Sequence, residues 1–216
     1  MHSRRIVWWR YLGVPIGIAA GAVLAVWLRT SDRDALTLHR GERVDGAFTR
    51  RLNPAPPGAP APDGHFLLVA FGYTFCPDIC PTTLIAMHRA LDGLGAGAQR
   101  VVPIFVTIDP ARDTAELLQG YVANFDSRIR SLSDAAAVAL TMKAFRARAE
   151  KRRLAGNDYA MEHTAVLYVL DPERRVVAAL PETSPKLSAD ILGALAGAPA
   201  FAAAAAAPNR PSAGAP

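Results

Sequence analysis

Hydrophobic and polar positions divide the chain into blocks of different kinds. The first is an uncharged run from Leu12 to Leu28, LGVPIGIAAGAVLAVWL. At about 1.5 Å per residue it extends roughly 25 Å, and starting it at Ile6 brings it to the about 30 Å of a hydrocarbon core if Arg10 snorkels to the headgroups. Trp8, Trp9 and Tyr11 at one end and Trp27 at the other stand where interfacial aromatics belong, so a single spanning helix is predicted. Arg4, Arg5 and Arg10 precede it while Arg29, Arg33, Arg40 and Arg43 follow, so charge does not set its orientation. A short tail ahead of a larger polar domain is the layout of a signal anchor, with the N-terminus inside and the domain outside. The alternative is a cleaved signal peptide, but no convincing small-x-small site follows Trp27.

Residues 32–64 are polar and turn-rich, and NPAPPGAPAPDG from Asn53 to Gly64 cannot sit inside a helix or sheet, so this part reads as a connector. From His65 to Phe71 (HFLLVAF) a continuous apolar run bounded by glycine predicts a strand buried on both faces. Leu84, Met87, Leu91 and Leu94 recur at helical spacing over Thr82 to Leu94. Val101 to Ile108 is a second buried strand, in which Pro103 implies an edge, a bulge or a late start. Helices are predicted over Thr114 to Phe125 and over Asp134 to Arg148, the latter capped by Asp134 or Ser133. Ala165 to Leu170 and Val176 to Leu180 flank a turn at Asp171-Pro172, and Ser188 to Leu195 is a last helix. This order predicts an α/β sandwich with a mixed sheet, as in the thioredoxin-like fold. The domains expected are residues 1–31 as tail and anchor, 32–64 as connector, 65–197 as the folded unit and 198–216 as a low-complexity tail, whose alanine run could lengthen the last helix.

Composition narrows the chemistry. The 216 residues are 51% hydrophobic and 20% charged, enough for one core and too polar for a multispan membrane protein. Lysines and arginines total 24 against 19 acids, a net charge of +5, and the cations are arginine apart from Lys143, Lys151 and Lys186. That excess is too small to argue for nucleic acid, and no zinc-finger, helix-turn-helix or phosphate-loop pattern supports one. Two cysteines, Cys76 and Cys80, exclude a disulfide scaffold and an all-thiolate zinc site. They act as a pair.

The pair lies in FGYTFCPDICPTTL from Phe71. Pro81 suits a first helical position, which makes Cys80 the expected N-cap and puts Cys76 in the turn before it. The positive end of a helix favours thiolate over thiol, so one or both cysteines should be unusually acidic. Such sulfurs are redox-active and also bind soft metals, and the three-residue gap serves either chemistry. An inert bridge is the plain alternative, but closing so small a loop removes little chain entropy. Of His2, His39, His65, His88 and His163, only His163 stands at a strand entrance that the predicted fold sets beside the cysteine turn. His88, two turns past Cys80, is expected to face solvent or pack. Two thiolates and one imidazole suit Cu(I), and the imidazole makes Cu(II) acceptable, whereas structural zinc would want a fourth ligand.

FGYTFCPDICPTTL, VTIDPARDT from Val106, YVANFD from Tyr121 and YAMEHTAVLYVLDP from Tyr159 resemble the Sco/SenC family of copper proteins that assist cytochrome c oxidase assembly. The resemblance runs from about His65 to the last helix. It implies a thioredoxin-like domain tethered to a membrane, Cys76, Cys80 and His163 as copper ligands, and a redox disulfide between Cys76 and Cys80. It further implies a role in loading the dinuclear copper centre of oxidase subunit II, with a copper donor and a thiol reductant as further partners. The location implied is a membrane with the domain facing the periplasm or its mitochondrial equivalent, and a bacterial inner membrane with the domain in the periplasm is expected. The segment ahead of His65 and the basic stretch RARAEKRRLAG from Arg146 depart from the family pattern.

Other residues have two readings each. Asp109 could orient His163 or hold charge behind the metal, or with Asp113 cap the turn into the next helix. Tyr73 and Phe75 could exclude solvent from the site or simply pack. Lys143, Arg146, Arg148, Lys151, Arg152 and Arg153 read as a solvated helix face, with docking to an acidic partner as the functional alternative. Copper delivery, which is not enzymatic turnover, is the leading expectation. A membrane-anchored thiol-disulfide oxidoreductase acting on the oxidase subunit's cysteines is the alternative, and peroxide scavenging is a more distant one.

Overall fold

In a computed structural model the chain is described over residues 37–54, 61–154 and 158–206. The anchor expected at residues 12–28 lies outside these residues, as do residues 55–60 of the Pro-rich run. Among the described residues no helix is long and apolar enough to cross a membrane.

The two apolar runs form β1 (Phe66–Gly72) and β2 (Val101–Thr107), buried at every position as strands covered on both faces must be. They are joined by α1 (Ile79–Leu94) and pair in parallel, from Phe66 opposite Val101 to Gly72 opposite Thr107. Next come α2 (Ala115–Ala123), β3 (Arg130–Leu132) and α3 (Ala135–Ala144), followed by a hairpin of β4 (Ala149–Arg153) and β5 (Tyr159–His163). The chain continues through β6 (Val166–Leu170), β7 (Val176–Pro181), α4 (Leu187–Ala196) and α5 (Pro199–Ala206). Five strands make one mixed sheet in the order β3-β2-β1-β6-β7, and β4 and β5 stand apart as a two-stranded sheet. Pro103 is tolerated within an interior strand because the pairing of β2 with β3 begins only at Ile104.

Local sequence accounts for most helix ends. Asp134 caps α3 by accepting from the Ala137 N–H at 2.8 Å, as expected. That helix stops at Ala144, four residues short of the predicted end, where Arg146 adopts a φ of 53° and Ala147 N–H bonds back to Met142 O at 2.8 Å. The basic cluster is therefore not one helix face. Lys143 is helical, Arg146 and Arg148 are in the turn, and Lys151, Arg152 and Arg153 lie on β4. That strand is exposed along nearly its whole length, so no apolar alternation marks it in the sequence.

Two segments assigned outside the folded unit belong to it. In the connector, Gly46–Arg51 forms a 3-10 turn, and Leu38, Val44 and Phe48 are buried. Phe48 meets Phe145 edge-on at 5.5 Å, and Phe145 in turn packs on Phe71 at 5.4 Å and Tyr168 at 5.2 Å. At the other end, the alanine run lies in a separate helix that begins at Pro199 rather than extending α4. Phe201 is buried against Phe66 at 5.2 Å, with the Arg100 guanidinium 3.8 Å above its ring.

Candidate metal centre

The chain leaves β1 at Gly72 and turns through Tyr73, Thr74 and Phe75 to Cys76. A Cβ on Gly72 would lie 2.6 Å from the Cys80 sulfur and 2.5 Å from the Phe105 ring, so glycine is what lets the buried thiol lie against the end of the strand. Buried Asp113 accepts hydrogen bonds from the Thr74 N–H at 3.2 Å and from the hydroxyls of Thr74 at 2.5 Å and Thr107 at 2.6 Å. It thus ties the cysteine loop to the end of β2. This replaces its expected capping role, since Thr114 caps α2 by accepting from Leu117 N–H at 3.2 Å.

Helix α1 begins two residues earlier than the Pro81 argument placed it. Asp78 is the N-cap residue, and Cys80 is the second helical residue rather than the cap. Pro81 is still accommodated, because the first four N–H groups of a helix have no intrahelical acceptor. Cys76 remains before the helix, and its sulfur accepts the Cys80 N–H at 3.4 Å. Both cysteines are free.

These positions divide the pair electrostatically. A hydrogen bond from the Cys80 thiol, reinforced by the backbone N–H groups of Cys80, Asp78 and Ile79 against partial burial, lowers Cys76 to about 6. The same bond and full burial push Cys80 well above the ordinary thiol range. At neutral pH the pair is a half-buried thiolate beside a buried thiol. Two orphan groups stand near it. Among the described residues the Tyr121 hydroxyl is buried without a partner, and Glu182, whose Oε1 is likewise unpaired there, is raised to about 8, mainly by burial. Neither stands out in the sequence, where Tyr121 reads as a helix position and Glu182 as a surface acid.

His163 is the last residue of β5, not a loop residue ahead of β6. The hairpin meets the cysteine loop where Met161 N–H donates to the Tyr73 hydroxyl at 3.2 Å. The His163 Nδ1 lies 3.1 Å from the Thr164 carbonyl, which can only accept, so Nδ1 carries the proton and Nε2 keeps its lone pair. Burial lowers its pKa against the opposing effect of that carbonyl, which keeps the ring neutral at pH 7. The structure does not bring the three expected ligands into one cluster. Among the described residues the only three-donor group with all ligand atoms within 4.8 Å of one another is His88, Asp92 and Asp126. There Arg128 already bonds both carboxylates, at 2.6 Å each, so that group is a closed ion network. His88 is held in that network by Asp126 at 2.9 Å and Asp92 at 3.3 Å. Asp109 does not touch His163, because its carboxylate is held by Arg112 at 2.5 Å and by the Tyr159 hydroxyl at 3.0 Å.

The fold and the thiol pair together define a thioredoxin-like α/β domain whose acidic cysteine precedes its first helix. A family model for SCO1/SenC matches residues 55–196, and the chain belongs to that family. The mitochondrial SCO1 homolog 2 of Arabidopsis thaliana is 35% identical over 116 residues, covering 53% of this chain and 42% of that protein. The chain thus spans well under two thirds of that relative's length. Among solved structures, Bradyrhizobium japonicum ScoI with copper bound is 35% identical with a TM-score of 0.55, covering 62% of this chain and 87% of that one. Apo Sco1 from Thermus thermophilus, solved in solution, is 29% identical with a TM-score of 0.59, covering 72% and 91%.

Proposed function

We propose that this protein carries one copper ion on Cys76, Cys80 and His163 and delivers it to the dinuclear copper centre of cytochrome c oxidase subunit II. The observation that carries the reading is the donor chemistry of the site. A thiolate present at neutral pH, a second sulfur beside it, and a neutral imidazole with a free Nε2 on the adjoining hairpin suit a soft ion better than a hard one. The copper-bound Bradyrhizobium japonicum relative supports the choice of copper. Because the three donors stand apart, loading includes a closing movement between the end of β5 and the cysteine loop. The proposal includes a membrane tether at residues 12–28 in a bacterial inner membrane, with the domain in the periplasm. An upstream copper donor fills the site, and a thiol reductant returns any Cys76–Cys80 disulfide to the dithiol.

Metal analysis of the anaerobically reduced protein tests this reading. One copper per chain is expected, abolished by Cys76→Ser or Cys80→Ser. His163→Ala should weaken the Cu(II) form most, and an unchanged thiolate-to-copper absorption band in that variant would refute the ligand assignment.

The asymmetry of the thiols also favours a second reading, reduction of the partner's cysteines. The Cys76 thiolate attacks a substrate disulfide, forming a mixed disulfide and releasing one substrate thiolate. Cys80, on losing its proton, attacks the Cys76 sulfur and releases the second, leaving a Cys76–Cys80 disulfide for the external thiol reductant. Turnover on a disulfide substrate by copper-free protein, undiminished in His163→Ala, would select this reading.

A further inference from the structure

Among the described residues the β4–β5 hairpin pairs with no strand of the main sheet, so contacts outside the sheet ladder set its place beside the cysteine loop. One residue supplies several of them. From the turn between β2 and α2, Arg112 donates through Nε to Asp109 at 2.5 Å, and through Nη1 to Asp158 at 3.3 Å and the Tyr159 carbonyl at 3.2 Å. Its guanidinium carbon lies 3.7 Å from the centre of the Tyr159 ring, 4.6 Å from that of Phe75 and 5.7 Å from that of Tyr73. The Tyr159 hydroxyl closes the circuit on the same Asp109 at 3.0 Å. A single guanidinium therefore joins the end of β2, the first residues of β5 and the residue before Cys76.

We propose that Arg112 is a positioning residue that holds the hairpin beside the cysteine loop and so sets the position from which His163 closes on the two sulfurs. The proposal rests on the reading of His163 as a copper ligand. The hairpin acts as one unit because continuous pairing runs from Ala149 opposite His163 to Arg153 opposite Tyr159. Tyr159, Met161 and His163 share one face by alternation, and Met161 on that face is buried. Four residue steps of strand, roughly 13 Å, lead from Tyr159 to His163, so the clasp at one end acts on the imidazole through the paired strand. Lysine cannot substitute, since a point charge on a flexible stem cannot bond a carboxylate on β2 and a carbonyl on β5 while stacking between rings.

The test uses Arg112→Ala and Arg112→Lys, each alone and combined with His163→Ala. In reduced, copper-free protein, hydrogen exchange across β4 and β5 should quicken at least about tenfold in both Arg112 variants, with β1 and β2 unchanged. In Cu(II)-loaded protein, the thiolate-to-copper band of each Arg112 variant should move toward that of His163→Ala, with no further change in the double variants. Hairpin exchange and a band both like wild type would overturn the proposal, as would a lowered melting temperature with the wild-type band retained. An Arg112→Lys protein matching wild type in both readouts would also overturn it, by showing that charge alone suffices. If His163→Ala itself leaves the band unchanged, the copper-ligand reading fails, and hairpin exchange still decides whether Arg112 is the clasp.

Discussion

Cys76 and Cys80 are the same residue four positions apart, yet their surroundings move them in opposite directions. The sequence announced an acidic thiol near a helix start; which sulfur took that role depended on the helix beginning at Ile79, two residues before Pro81. Because Cys76 is lowered to about 6, alkylation of the reduced, copper-free protein should rise with pH through a midpoint near 6, where an ordinary thiol would rise near 9. Cys80→Ala removes the largest cause of that shift and should move the midpoint upward; a midpoint unmoved by it would show that the helix end alone acidifies Cys76. Gly72 is a second residue whose role is spatial. Gly72→Ala forces a methyl into the Cys80 sulfur and the Phe105 ring, so we expect a loss of about 1–3 kcal/mol in denaturant unfolding, together with impaired copper binding.

Among the elements, legibility followed burial. Strands β1 and β2 were readable as unbroken apolar runs, and α1 through its apolar spacing, because their neighbours demand those patterns. The cap of α3 was readable too, and Asp134→Ala should cost about 1 kcal/mol by thermal or chemical denaturation, with the fold retained. The β4–β5 hairpin was not readable. Its first strand is AEKRR, exposed and charged, and it is a strand only because β5 pairs with it. The helix expected to continue to Arg148 ends instead where Arg146 turns the chain back. That error hid the setting of His163, which is the terminal residue of a hairpin clasped at its far end by Arg112.

At the scale of the whole molecule, the folded unit extends beyond residues 65–197 at both ends. Leu38, Val44 and Phe48 enter the core before it, and Phe201 after it. The core also holds Glu182, a carboxyl that is unfavourable to ionise there. Its folded value is raised from 4.5 to about 8, so between those values the folded protein holds the proton that the unfolded chain has released, and stability falls as pH rises through that window. Glu182→Gln should remove that slope, equalling wild type near pH 4.5 and exceeding it at pH 8 in denaturation midpoints; a slope that persists would assign it to another group. Local order along the chain determined the α/β alternation, the family motifs and the identity of the candidate donors, because apolar runs, caps and proline act over a few residues. Only the tertiary structure decided which thiol is acidic, that His163 ends a hairpin, and that Arg112 joins that hairpin to the cysteine loop. Cys80 is buried while Cys76 is half-buried, Arg112 meets Tyr159 from 47 residues away, and spacing along the chain carries no record of such burial or such meetings.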